Sequence, residues 1–201
     1  MSTHDVRFDV IAAGFSGDDI TARKGLTHIE PLVRASALRA LHRMQSLTAD
    51  ELRVALVDTE SEVRRTAVEC AVVFPDVEVH PLLNDANVFV AEMTAWCLGE
   101  RDVTDTELHE LIQATTSHPE AVVREASAAA LGSIGDERGL PAILIACTDK
   151  PAVRRRAVLA LAPFEGDEVR LALENALTDR DWQVRQNAEI LTSPRGANLE
   201  E

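Results

Sequence analysis

Small and apolar residues recur along the chain with the spacing of one helical face. Counted from a Val that precedes Arg or Ala, such residues follow at offsets four, seven and eight. These offsets share one face of an α-helix, because the helix turns once every 3.6 residues or so. The pattern predicts buried helices whose small side chains let neighbouring backbones approach closely. The marker dipeptides are Val33-Arg34, Val63-Arg64, Val90-Ala91, Val123-Arg124, Val153-Arg154 and Val184-Arg185.

The helical pattern repeats six times between residues 16 and 192. Successive markers are 30, 27, 33, 30 and 31 residues apart. A period of about 30 residues is typical of a solenoid, in which each unit buries its apolar face by stacking on its neighbours. A second helical pattern precedes the marker helix, as over residues 49–58 and 105–116. Each unit is therefore predicted to be a helix hairpin, with helix A first and the marker helix, helix B, second.

Helix starts carry capping signals. A Ser or Thr followed three residues later by Glu predicts a capping box, in which both side chains satisfy backbone amides of the first turn. Four pairs have this spacing: Thr48/Glu51, Thr59/Glu62, Thr104/Glu107 and Ser117/Glu120. The glycines near residue 135 follow a helix and not a strand, which excludes a phosphate-binding loop. Gly135 is expected to end a helix B in the left-handed conformation, with Asp136 capping the next helix.

The two ends of the chain differ from the repeats. Residues 5–14 predict a short amphipathic helix that covers the first unit, and residues 193–201 predict a disordered tail. The last helix B carries polar residues where inner units have small apolar ones, as terminal solenoid repeats do. One free-standing domain is therefore expected over residues 1–192, and we predict a monomer.

Composition narrows the function classes. The net charge of −14 disfavours nucleic acid and anionic membranes as partners, and aromatic residues make up only 3% of the chain. The N-terminus lacks the apolar segment of a signal peptide, and no apolar run reaches the length of a membrane span. The three cysteines lie in helical patterns without a CxxC motif. These features predict reduced thiols in the cytoplasm, with no metal and no cofactor.

Three segments, residues 58–71, 118–144 and 179–191, resemble HEAT repeats, particularly the short HEAT-like repeats of the phycobilisome lyase type. In that family an Asp in the turn between the helices precedes Val-Arg by five and six residues. Asp58, Asp85 and Asp179 have this spacing, and Asp149 is one residue closer. His28 and His118 occupy the same position in the first and fourth units, where a polar turn residue is more consistent with the sequence than a ligand. The resemblance covers about 175 of the 201 residues.

The resemblance implies an all-α fold, a right-handed α-solenoid of about six helix hairpins. It also implies a ladder of hydrogen bonds in which the helix-B Arg of one repeat bonds the turn Asp of the next. A row of Arg side chains that clamps phosphate or carboxylate groups is the alternative. The expected ladder residues are Asp58, Asp179, Arg34, Arg64, Arg124, Arg154 and Arg185.

Helix B of such arrays lines the concave side, so offsets two and six are expected to face solvent there. Offset six is apolar in the last four units, at Trp96, Ala129, Leu159 and Ile190. An apolar strip edged by charges suits a peptide or a partner helix; the alternative is that supercoiling buries offset six. The predicted partner-binding residues are Arg65, Glu69, Glu92, Trp96, Glu125, Arg155, Arg156 and Leu159.

We therefore predict a non-catalytic scaffold or adaptor that binds a protein or peptide, with no catalytic residues. The main alternative is an accessory or maturation factor, or an enzyme, of the bilin-lyase-like type, although no aromatic cluster is available to stack a tetrapyrrole. Deoxyhypusine hydroxylases share the fold, but Arg124-Glu125 stands where their His-Glu metal ligands would be. A nucleic-acid-acting protein similar to alkylpurine DNA glycosylases is the minor alternative. It has a partial parallel in Trp96, Glu100 and Trp182 but lacks the catalytic Asp.

Overall fold

The structure is a computed structural model and describes residues 3–193. This range contains α-helices, short 3-10 helices and turns but no β-strand, which confirms the predicted all-α fold. Apart from Ser193, the predicted disordered tail lies outside the described residues. The helices are α1 (Thr3–Ser16), α2 (Asp19–Gly25), α3 (Pro31–Arg43), α4 (Ala49–Leu56), α5 (Ser61–Cys70), α6 (Val88–Gly99), α7 (Asp105–Ser117), α8 (Ala121–Ile134), α9 (Leu140–Ala146), α10 (Pro151–Ala160), α11 (Asp167–Ala176) and α12 (Trp182–Thr192).

Outside the third repeat, the helices alternate as the repeat pattern predicts. The B helices are α3, α5, α6, α8, α10 and α12, and their marker Val side chains are all buried. The A helices are α2, α4, α7, α9 and α11. The architecture is that of an α-solenoid. The chain divides into two compact units, each holding several repeats, and below these are called the first unit (Met1–Arg101) and the second unit (Asp102–Glu201). The single domain predicted over residues 1–192 stays a prediction.

The third repeat has no α-helical helix A, so the predicted hairpin is wrong there. A 3-10 helix over His80–Asn84 takes its place, with Pro81 in its first turn. This repeat is 27 residues long, shorter than the other repeats. A 3-10 helix rises about 2.0 Å per residue against about 1.5 Å in an α-helix, so five residues span the length of roughly seven. The 3-10 helix therefore spans nearly the length of a two-turn helix A with fewer residues.

Arg101 holds the irregular backbone that precedes this 3-10 helix. Its Nη1 donates hydrogen bonds to the carbonyl oxygens of Phe74 at 3.2 Å and Val77 at 3.0 Å, with Ala71 at 3.5 Å. Phe74 and Val77 lie outside the regular helices, and one guanidinium nitrogen donates to the carbonyl oxygens of both residues. The repeat pattern contains no signal for this role of Arg101.

In the first unit, α1 packs on α3 much as one helix B packs on the next. Val10 of α1 lies in a cluster with Val33 and Ala37. A Cβ on Gly14 would lie 2.8 Å from the Cα of Ala40, so glycine lets the two backbones approach. The N-terminal helix thus closes the first repeat by covering its small-residue face.

Two of the four predicted capping boxes are present, and two are wrong. Thr48 accepts a hydrogen bond from the amide of Glu51 at the start of α4, and Thr104 does the same for Glu107 at α7. The B helices α5 and α8 instead begin after Glu60 and Glu120, without a side-chain cap of this kind. The start of each of these helices is set by the turn residue two positions before the Glu. That residue, Asp58 or His118, accepts a hydrogen bond from the backbone amide of the Glu.

The two types of pair predict different effects on stability. Thr48→Ala is expected to lower the free energy of unfolding by about 1 kcal/mol, because it removes a capping acceptor. Thr59→Ala changes an exposed residue outside the cap and is expected to stay within about 0.5 kcal/mol of wild type. Urea unfolding followed by circular dichroism measures both. An equal loss for Thr59→Ala would show that the box exists there after all.

Candidate functional site

Paired Arg and Asp side chains connect successive repeats of the first unit. Arg34 donates through Nε and Nη2 to the two carboxylate oxygens of Asp58, at 2.8 and 2.7 Å. Arg64 bonds Asp85 in the same way, at 2.7 and 2.8 Å. Each guanidinium also donates through Nη1 to carbonyl oxygens of the turn that precedes its own helix. The pairs are largely shielded from solvent, so their hydrogen bonds hold the B helices in register.

The second unit repeats this arrangement. Arg124 bonds both carboxylate oxygens of Asp149 at 2.6 and 2.9 Å, and Arg154 bonds those of Asp179 at 2.8 and 2.7 Å. Within residues 3–193, Arg185 of the last repeat donates to the carbonyl oxygen of Asp179, at 2.6 Å, and to no carboxylate. Asp85 and Asp149, which matched the family turn position, are thus also ladder residues. The third repeat carries Ala91 at the Arg position and has no donor there.

The ladder leaves little capacity for an external ligand. In Arg34, Arg64, Arg124 and Arg154 the Nε, Nη1 and Nη2 groups all donate within the protein. The geometry therefore favours the structural ladder over the alternative in which this row clamps phosphate.

The ladder also predicts how stability depends on pH. The hydrogen bonds that Arg64, Arg124 and Arg154 donate lower the pKa of Asp85, Asp149 and Asp179. In the unfolded chain the pKa of an Asp is about 3.9. A lowered folded-state pKa contributes stability above the unfolded pKa, and this is lost as the pH falls through the folded pKa. We expect the free energy of unfolding to decrease below about pH 4.

Urea titrations at a series of acidic pH values check this dependence. Arg154→Ala should flatten the acid slope, because Asp179 loses the donor that lowers its pKa. A variant with an unchanged slope would assign the acid sensitivity to other carboxyl groups.

His28 and His118 lie in the turns, where other repeats have Asp. Nδ1 of each ring accepts the amide two residues on, from Glu30 and Glu120, at 3.1 Å in both cases. Asp58 performs the same task for Glu60 at 2.9 Å. The two histidines therefore replace the turn-forming function of Asp but not its carboxylate, and they lie at the first ladder turn of each unit.

Most of the charged residues predicted to bind a partner are engaged in ion pairs on the B helices. In the first unit Glu69 pairs with Arg39 at 3.0 Å, and Arg65 lies 3.7 Å from Glu62. In the second unit Arg155 pairs with Asp181 at 2.5 Å, and Arg156 lies 4.0 Å from Glu125. These ion pairs stiffen the exposed side of the B helices, because each pair joins either two different helices or turns, or successive turns of one helix.

The apolar candidates differ in exposure. Trp96 of α6, in the first unit, is 43% exposed. In the second unit Ile190 is 62% exposed, whereas Ala129 and Leu159 are half-buried. Exposure at Trp96 and Ile190 contradicts general burial of offset six. Phe89, one residue before the third marker, is 60% exposed and is a member of the α6 surface that offset counting missed.

Cys70 and Cys147 lack the lowered pKa of a nucleophilic thiol. Cys70 and Cys97 are buried at offset seven, and no disulfide involves them or Cys147. Burial raises the pKa of Cys70 and of Cys147 to about 12, so these thiols stay protonated at neutral pH.

Within residues 3–193, no three His, Cys, Asp or Glu side chains are grouped so that they could hold a metal ion. None of the helices in the same range has both the length and the apolar character needed to cross a bilayer.

Two family models match the sequence, one of HEAT repeats over residues 76–162 and one of the PBS lyase HEAT-like repeat over residues 153–179. No curated protein matches it. Among solved structures, the chain is similar to YibA of Escherichia coli, with 20% identity and a TM-score of 0.63 over 95% of this chain and 74% of YibA.

Two engineered proteins are also similar. The chain has 19% identity and a TM-score of 0.63 with one, over 90% of its own residues, and it spans only 58% of that protein's length. A designed armadillo repeat protein has 15% identity and a TM-score of 0.57, over 85% of this chain and 96% of the designed one. At these identities the likeness shows a shared repeat fold.

Proposed function

Because the chain is a HEAT-repeat protein, we propose that it is a non-catalytic scaffold that binds protein partners through the exposed side of its B helices. The exposed Trp96 is the observation that carries this proposal. Trp96 is 43% exposed, whereas Val90, Ala95 and Leu98 of the same helix are buried. Trp is among the residue types that contribute most to binding when a partner covers them.

The surface around the B helices is held rigid before any partner arrives. The ladder Arg residues join the starts of α3, α5, α8 and α10 to the turn of the next repeat, and ion pairs such as Arg39–Glu69 connect successive B helices. A partner that binds such a surface need not order it, so less of the interaction energy is lost to conformational entropy. Rigidity of this kind supports recognition by a preformed surface.

Charge and thiol chemistry support a protein partner and a non-catalytic role. The net charge of −14 opposes contact with phosphate backbones, which proteins bind mainly through Lys and Arg. Cys70 and Cys147 remain as protonated thiols at neutral pH and are poor nucleophiles. We further propose the cytoplasm as its location, because its three cysteines form no disulfide.

Photo-crosslinking in the native cell extract tests the proposal. The crosslinker p-benzoylphenylalanine is placed at Trp96, at Ile190 or, as a control, at Val54 on helix A, which is 72% exposed. We expect partner proteins to be captured from Trp96 or Ile190 and not from Val54. Capture from Val54 alone would show that the wrong face was chosen, and capture from none of the three would overturn the scaffold function.

A second pair of variants tests the contribution of Trp96 itself. Trp96→Ala is expected to reduce partner capture through an affinity tag by at least about tenfold, as loss of a central aromatic anchor does. Trp182→Ala removes another exposed Trp, outside offsets two and six, and should leave capture unchanged. Equal losses in the two variants would contradict a specific role for Trp96.

A further inference from the structure

One face of α6 combines aromatic rings and carboxylates. Phe89, Glu92, Met93 and Trp96, followed by Glu100 at the helix end, recur every three or four residues and so share one side of the helix. Phe89 is 60% exposed and Trp96 is 43% exposed, whereas Glu92 and Met93 are half-buried and Glu100 is exposed. We refer to these five residues as the α6 stripe.

The basic residues near the α6 stripe have acidic partners, whereas the two carboxylates of the stripe have no ion-pair partner among residues 3–193. On the neighbouring B helices of the same unit, Arg39 is paired with Glu69, and Arg65 lies near Glu62. No ion pair within residues 3–193 engages Glu92 or Glu100. The stripe therefore presents two carboxylates without a cation, four residues to either side of an exposed indole ring. Four residues of helix rise correspond to about 6 Å, within the reach of one long side chain.

We propose that the α6 stripe binds a cationic, apolar segment of a partner protein. An Arg or Lys of that segment lies over the face of Trp96 between Glu92 and Glu100, and an apolar side chain packs against Phe89. Trp is the best aromatic partner for a cation, and a nearby carboxylate adds direct charge complementarity. The inference rests on the proposed scaffold function and specifies the chemistry of its partner.

Charge also argues against the other occupants of the stripe. A nucleic acid would bring phosphates next to Glu92 and Glu100, and a second copy of the chain would bring a further net charge of −14. A basic segment instead gains from the field of the whole protein, which attracts cations over about 10 Å at moderate ionic strength.

Fluorescence of Trp96 provides a direct test. The chain has two tryptophans, so Trp182→Phe leaves Trp96 as the single reporter. The probe is a 14-residue peptide of Arg, Leu and Ala, and its counterpart carries Glu in place of Arg. We expect the basic peptide to bind with a blue shift of Trp96 emission, and the acidic one not to bind. Raising NaCl from about 50 to 500 mM should weaken binding by about tenfold, because the added salt screens the charges.

Matched charge variants in the Trp182→Phe background locate the site. Glu92→Gln with Glu100→Gln should weaken binding at least about fivefold, as loss of two charge contacts does. Glu137→Gln with Glu168→Gln changes the net charge equally at exposed positions of the second unit and should weaken binding less than about twofold. Equal weakening by both pairs, equal binding of the acidic peptide, or no emission change with the basic peptide would overturn the inference.

The remaining outcomes separate this inference from the scaffold function. An emission shift that grows with protein concentration in the absence of peptide would assign the stripe to a second copy and overturn the inference. Partner capture from Trp96 without binding of the basic peptide would overturn the partner chemistry and leave the scaffold function intact. Absence of both capture and peptide binding would overturn the two proposals together.

Discussion

Arg154→Ala is expected to lower the free energy of unfolding by about 3 kcal/mol. The Arg154 side chain is only 7% exposed, and it donates to both carboxylate oxygens of Asp179 and to the carbonyl oxygen of Asp149. The variant leaves the shielded Asp179 carboxylate without its cation. Such a charge costs more to keep inside a folded protein than the pair contributed when intact.

Arg185→Ala is the matched control. It removes the same charge from the same position of the last repeat, but among the described residues Arg185 donates to one carbonyl oxygen and to no carboxylate. Its loss is expected to cost about 1 kcal/mol or less, the value of a partly solvated hydrogen bond. Urea unfolding at pH 7, followed by circular dichroism, compares the two variants. Equal destabilisation would mean that the carboxylate pair contributes nothing beyond the loss of one charge.

Gly132→Ala is expected to destabilise the protein by about 2 to 3 kcal/mol, although alanine is the better helix former by about 1 kcal/mol. A Cβ at residue 132 would lie 2.6 Å from the Cα of Ala160 and 2.9 Å from its carbonyl oxygen. These are backbone atoms, so no side-chain rotation relieves the overlap. The helices α8 and α10 would have to separate and lose buried contacts along their length.

Two controls distinguish a backbone clash from helix propensity. Ser133→Ala, at the adjacent exposed position of α8, should stay within about 0.5 kcal/mol of wild type. Ala160→Gly should not rescue Gly132→Ala, because the Cα and carbonyl oxygen of residue 160 remain. Urea unfolding and amide hydrogen exchange in α8 and α10 measure the loss. Full rescue by Ala160→Gly would show that side-chain crowding is responsible.

The local patterns predicted most of the repeat architecture. The period of about 30 residues and the small-residue offsets placed the six B helices, and Gly135 ends α8 in the left-handed conformation with φ of 69°. These features can be predicted from the sequence because helical periodicity and helix ends depend on residues a few positions apart. The same signals gave a wrong prediction at Thr59 and Ser117, where a capping spacing occurs but a turn residue sets the helix start.

The candidate site was only partly predictable. Offset counting identified Trp96 as exposed, but it missed Phe89 and the role of Arg101. It also did not show that Arg155 is engaged with Asp181, since such a pair joins residues from different repeats. Exposure and ion pairing depend on how each helix is rotated against its neighbours, which the sequence pattern alone does not specify.

The sequence by itself determined the all-α repeat fold and the positions of the B helices, and its resemblance to HEAT repeats implied the ladder Arg residues. Only the tertiary structure decided that the third helix A is a 3-10 helix, which polar groups are paired, and which aromatic rings remain exposed. The division has a physical cause. Secondary structure follows from short-range periodicity, whereas pairing and exposure follow from contacts between residues about 20 to 30 positions apart, one repeat away along the chain.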